Sequence, residues 1–113
     1  MTDLSLREEL AERIRAVIGE DPNVTEKKMF GGIAFMLNGN MLVGPHKDGS
    51  MMVRVGKDLE AEARSRPHSR AMDFTGKPMA GFVTVDPPGL EADSDLAGWI
   101  ALATQFVGTL PAK

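Results

Sequence analysis

Apolar residues recur along this chain with two different spacings, and the points where the spacing changes mark out its elements. Leu6, Leu10, Ile14, Val17 and Ile18 lie three or four apart and so share one face of a helix. That helix is expected to begin near Ser5, whose hydroxyl can cap it with Glu8 three residues on, and to end at Gly19, a natural left-handed C-terminal residue. Glu9 and Arg13 are spaced to pair on its polar side. From Lys28 to Val43 strand-formers flank Asn38-Gly39, two residues that tolerate the positive φ of a type I′ hairpin turn. A two-residue loop there places Leu37 opposite Asn40, Phe35 opposite Leu42 and Ile33 opposite Gly44. A second such turn at Asp48-Gly49 sets Ser50 opposite Lys47 and Leu42 opposite Val55. Alternation then assigns Ile33, Phe35, Leu37, Leu42, Met51, Val53 and Val55 to a core face, and Ala34, Met36, Met41, Val43, Met52 and Arg54 to the other.

Further along, Gly56-Lys57-Asp58 opens a short helix through Leu59, Ala63 and Arg64 that stops before Pro67. Residues 71–74 and 81–85 are strand-like, and Thr75-Gly76-Lys77-Pro78 between them has the composition of a turn. The last helix starts at Asp93, Ser94 and Asp95, which supply a cap and favourable first-turn charge, and carries Leu96, Trp99, Ile100, Ala103, Phe106, Val107 and Leu110 at helical spacing up to Pro111. The order helix, three strands, helix, two strands, helix predicts one α+β domain over 1–113. Its two layers are an antiparallel sheet and helices laid mainly on one face of it.

Charge and composition narrow the chemistry. Thirteen Lys plus Arg against sixteen Asp plus Glu leave a net charge of −3, so no overall positive field collects a nucleic-acid backbone. The chain has no cysteine, which removes disulfides, thiolate metal sites and cysteine nucleophiles. Mixed charges from Asp3 to Glu9 do not form the apolar core of a signal peptide, and no run reaches membrane-spanning length. Cytoplasmic residence is the resulting expectation.

Four short motifs carry a family likeness: Lys28-Met29-Phe30-Gly31-Gly32, Leu37-Asn38-Gly39-Asn40-Met41, Val53-Arg54-Val55, and Gly76-Lys77-Pro78-Met79. Together they resemble the N-terminal domain of the TfoX family of bacterial competence regulators, over nearly the whole chain. The resemblance implies an α-β(3)-α-β(2)-α fold like that of secretion chaperones. It also implies regulation through protein contacts, since full-length relatives resemble co-activators that work with the cAMP receptor protein at competence promoters. Longer members of the family carry a further helical domain, whereas this sequence ends at Lys113.

The candidate sites are few. Met36, Met41 and Met52 gather on the face expected to lie away from the helices, and flexible, polarisable thioethers suit an adaptable protein contact or a homodimer seam. Arg54, inside an apolar strand, is the polar candidate for bidentate recognition of a carboxylate or phosphate, the simpler reading being an ion pair with a neighbouring Asp or Glu. Gly31-Gly32 precedes a strand, which favours a bend over an anion site. Gly39 and Gly44 have phosphate-loop spacing, but Pro45-His46 stands where Lys and Ser or Thr are needed. His46 and His68 show no metal-ligand spacing, and neither Ser50 nor Ser69 has the surroundings of a nucleophile. No cofactor, metal or catalytic set is expected. The leading expectation is a non-catalytic regulatory domain that binds another protein; the competing one is a small-molecule or enzymatic cleft formed near Arg54 and His46.

Overall fold

A computed structural model describes residues 6–29, 32–74 and 77–113; the expected Ser5 cap, Gly31 and the Thr75-Gly76 part of the second hairpin turn lie outside the described residues. The element order is α1 (Leu6–Ile18), β1 (Val24–Met29), β2 (Gly32–Leu37), β3 (Asn40–Pro45), β4 (Met51–Arg54), α2 (Lys57–Ser65), β5 (Ser69–Phe74), β6 (Lys77–Val85), a short 3-10 turn at Pro87–Gly89, and α3 (Asp93–Val107). The six strands form one sheet in the order β1-β2-β3-β4-β6-β5, with every neighbouring pair antiparallel. The α+β architecture is the expected one, with one strand more. β1 was not legible because Val-Thr-Glu-Lys-Lys-Met lacks apolar alternation, as suits a charged edge strand that discourages pairing with another sheet.

All three helices cover one face. Leu10 and Ile14 of α1, Ala63 of α2, and Leu96, Trp99 and Val107 of α3 form a single cluster with Phe35, Val53 and Val83 of the sheet. Each fully buried large side chain of this kind contributes roughly 1.5–3 kcal/mol of transfer free energy, which is why the apolar periodicity decides the layering. Glu8 and Glu9 at the start of α1 and Arg15 near its end suit the helix dipole, and Gly19 leaves the helix at φ 70°. Leu6 and Val17, expected on the buried stripe, are exposed.

Four local expectations are corrected. The β3–β4 loop is three residues long, Lys47-Asp48-Gly49: His46 N–H donates to the Ser50 carbonyl, and Gly49 takes φ 86°. Pro45 therefore pairs with Met51 and Val43 with Val53, one residue away from the register of a two-residue turn. The Asn38-Gly39 turn does pair Leu37 with Asn40, but the register then shifts so that Phe35 faces Val43. Leu42 is the extra residue, and Leu42 and Val43 are both buried in the core, so Val43 does not lie on the outer face. At α3 the capping position is Ala92, with no side-chain cap, and Asp93 instead accepts a hydrogen bond from Arg13. Arg13 reaches across to α3 in this way and does not pair with Glu9.

Candidate functional site

The helix-free face of the sheet has its own buried apolar residues. Ala34, Met52 and Met72 are 2, 3 and 5% exposed, yet stand outside the core cluster. Register explains their gathering. Gly44 pairs with Met52, Met52 with Thr84, and Thr84 with Arg70, so one row of side chains crosses β3, β4, β6 and β5. These four residues, with Ala34 and Met72, line a hollow of about 500 Å³, within the range of small-molecule sites. Gly44 helps to open it, since a Cβ there would lie 3.3 Å from Met52 Cε.

The rim of the hollow is cationic although the chain as a whole is acidic. Arg7 from the start of α1, Lys47 from the β3–β4 loop and Arg70 from β5 all line it, against one carboxylate, Asp48, among the described residues. Gly32 leaves room for Arg7, whose Nε lies 3.3 Å from the position of an added Cβ. The Asp48 carboxylate is already engaged, accepting from the Ser50 backbone N–H at 3.0 Å and the Ser50 hydroxyl at 2.6 Å. These bonds hold its pKa below the ordinary carboxylate value. Arg70 uses Nε to reach Asp86 at 3.0 Å. His46, half-buried at the rim, has its pKa lowered mainly by burial, with Arg70 and Arg7 acting in the same direction and Asp48 opposing them. Thr84 is 4% exposed and lines the hollow, and among the described residues its hydroxyl has no hydrogen-bond partner.

Arg54 is elsewhere. It lines a second, smaller hollow of about 250 Å³, its guanidinium 5.5 Å from the centre of the Phe82 ring and 5.8 Å from that of Phe106. Among the described residues it has no carboxylate partner, so stacking between two rings takes the place of the expected ion pair. His46 and Arg54 thus line separate hollows. Met36 and Met41 pair directly across β2 and β3 beside the Asn38-Gly39 turn and are half-buried, whereas Met52 is sunk into the larger hollow. Among the described residues no group of three or more His, Asp or Glu is placed to hold a metal ion. Nor is any helix there long and apolar enough to cross a membrane.

Thr84 and Arg7 escaped the sequence reading, and Arg70 enters it only as one of a group with Arg64 and Arg66 read as solvated surface. Their meeting depends on the pairing of β4 with β6 across the intervening α2 and β5, which local turn chemistry does not encode. The one usable signal was Gly81-Phe82-Val83-Thr84-Val85, an apolar strand interrupted by a lone threonine.

The antiparallel sheet and its three helices coincide with a known domain family: residues 17–107 match the TfoX N-terminal domain. The chain belongs to that family. The match runs from the end of α1 to the end of α3, so this TfoX N-terminal domain includes Gly44, Met52, Thr84, Arg70 and Arg54 within the family segment, whereas Arg7 precedes it. A comparison with curated proteins gives no match. The TfoX N-terminal domain is of a regulatory type and is linked to competence regulation.

Proposed function

We propose that this TfoX N-terminal domain is a non-catalytic cytoplasmic adaptor that regulates transcription by binding another protein through the helix-free face of its sheet. The observation that supports this is the Met36–Met41 pair: two thioether side chains side by side, half-exposed, with all the helices packed on the opposite face. Flexible, polarisable side chains in such a position adapt to a partner's surface at little cost in strain. The family's link to competence points to a transcription regulator as the partner, with the cAMP receptor protein the first to try.

The test is a titration of the labelled domain with the purified cAMP receptor protein of the same host, with light scattering to report self-association. The parent is expected to bind. Met41→Glu should weaken binding at least about tenfold, because losing the burial of one methionine side chain exceeds the 1.4 kcal/mol that a tenfold change represents. Absence of binding by the parent, or equal binding by a folded Met41→Glu variant, would sink this reading. The competing expectation of one cleft shared by Arg54 and His46 finds no support, because each lines its own hollow.

A further inference from the structure

The larger hollow has a composition that a flat protein contact does not require. Its floor is apolar, formed by the buried Ala34, Met52 and Met72 on a face that carries no helix. Its rim supplies the positive charges of Arg7, Lys47 and Arg70 in a chain whose net charge is −3. Among the described lining residues the one carboxylate, Asp48, stays ionised while it accepts from Ser50, so three cations stand against one anion, and the Arg70–Asp86 contact uses Nε, with no partner at the terminal nitrogens of Arg70 among the described residues. Thr84, a residue 96% removed from solvent, lines this space, and its hydroxyl has no partner among the described residues. That oxygen is not among the described buried polar atoms left without a partner, so water reaches it in the empty hollow, and an acceptor on a ligand replaces that water with a directed hydrogen bond.

We propose that this hollow binds a small organic anion, a carboxylate or phosphate monoester borne on a compact apolar body. The apolar part rests on Met52, Met72 and Ala34; the anionic head takes the Thr84 hydroxyl as donor and lies between Arg70 and Lys47. A cationic ligand is disfavoured by a rim where three positive charges outnumber the one carboxylate among the described residues, and a purely apolar one covers Thr84 without giving it an acceptor. Inorganic phosphate alone would leave the methionine floor uncovered, so the body of the ligand matters as much as its charge. The domain becomes in this way a carrier of a chemical signal, a property separate from the Met36–Met41 contact and independent of it.

The experiment uses the full chain and the fluorescent probe 1-anilinonaphthalene-8-sulfonate, an anion on an apolar body, with octanoate and octylamine as competitors of equal chain length and opposite charge. One dye per chain is expected, displaced by octanoate and not by octylamine at the same concentration. Thr84→Val, nearly the same shape without the hydroxyl, should weaken dye binding several-fold. Lys47→Glu, at an exposed loop position where folding is not at stake, should weaken it at least tenfold, whereas Lys27→Glu on the edge strand β1 should leave it unchanged. Octylamine competing as well as octanoate, more than one equivalent of dye, or a Lys47→Glu variant that binds like the parent would each overturn the proposal.

Discussion

The ring of Phe106 fills the space that a side chain on Gly56 would need: an added Cβ would lie 2.5 Å from its Cδ1. Gly56 also has φ 85° and ψ 157°, a backbone conformation that only glycine adopts at low cost. This contact seats the end of α3 against the start of α2 and sets one ring of the Arg54 stack.

Gly56→Ala should therefore destabilise the domain by at least about 2 kcal/mol, the sum of backbone strain and an unavoidable clash, a loss of roughly 10 °C in Tm. Adding Phe106→Leu should restore part of this and not all, since the strain at Gly56 persists. Thermal unfolding of the two variants measures both components. An Ala variant as stable as the parent would contradict the placement of the ring.

Arg54→Lys should cost about 1 kcal/mol in urea unfolding. The planar guanidinium faces both Phe82 and Phe106, each contact is worth about 0.5–1 kcal/mol at a partly exposed site, and a compact ammonium cannot stack on two rings at once. An unchanged unfolding midpoint would show that the stack contributes nothing.

Arg13 ties α1 to the approach of α3. Its Nη2 donates to the Leu90 carbonyl at 2.6 Å, to the Glu91 carbonyl at 3.2 Å and to Asp93 Oδ1 at 3.2 Å. The Asp93 side chain is 92% exposed, so solvent screens that ion pair and the carbonyl contacts carry the effect. Arg13→Met should cost about 1–2 kcal/mol and Asp93→Asn less than about 0.5 kcal/mol, measured by denaturant unfolding. The reverse ranking would show the ion pair to be the dominant link.

The lowered pKa of His46 predicts a specific pH response. With its folded value below the ordinary 6.5, the unfolded chain takes up a proton at a pH where the folded domain does not. Stability from this group is therefore full above 6.5, declines as pH falls from there to the folded value, and stays reduced below it. His46→Gln should remove that part of the loss of Tm between pH 7.5 and 5.5. A proton NMR titration with a midpoint for His46 at or above 6.5 would refute the burial argument.

The elements that depend on local patterning were readable from the chain. Gly19, the Leu37–Asn40 pairing, the start of α2 at Lys57 and the apolar face of α3 follow from residue type and spacing. The outward positions of Met36 and Met41, relative to Phe35 in the core, follow in the same way. What could not be read depends on contacts between distant segments. A one-residue difference in the Lys47-Asp48-Gly49 loop, with the extra residue at Leu42, carries Val43 into the core, and neither leaves a mark in the composition. The row Gly44, Met52, Thr84, Arg70 exists because β6 inserts beside β4, which no turn motif announces. Arg54 kept its position on the strand and changed its partner, because Phe106 arrives from the far end of the chain.

The last residues are fastened to the β2–β3 hairpin: Lys113 N–H donates to the Asn38 carbonyl at 2.8 Å, and Asn40 Nδ2 donates to the Pro111 carbonyl at 2.9 Å. Gly39 is crowded by the same tail, with Lys113 Cβ only 2.9 Å from the place of an added Cβ. A purification tag or fluorophore joined after Lys113 will consequently emerge at the Asn38-Gly39 turn, the bend that joins the strands bearing Met36 and Met41, and disturb the pairing that sets those two side chains next to each other. Labels for partner titrations belong on a solvent-facing helix position such as Gln105, and a C-terminal dye is better used as a reporter of whatever settles on the hairpin.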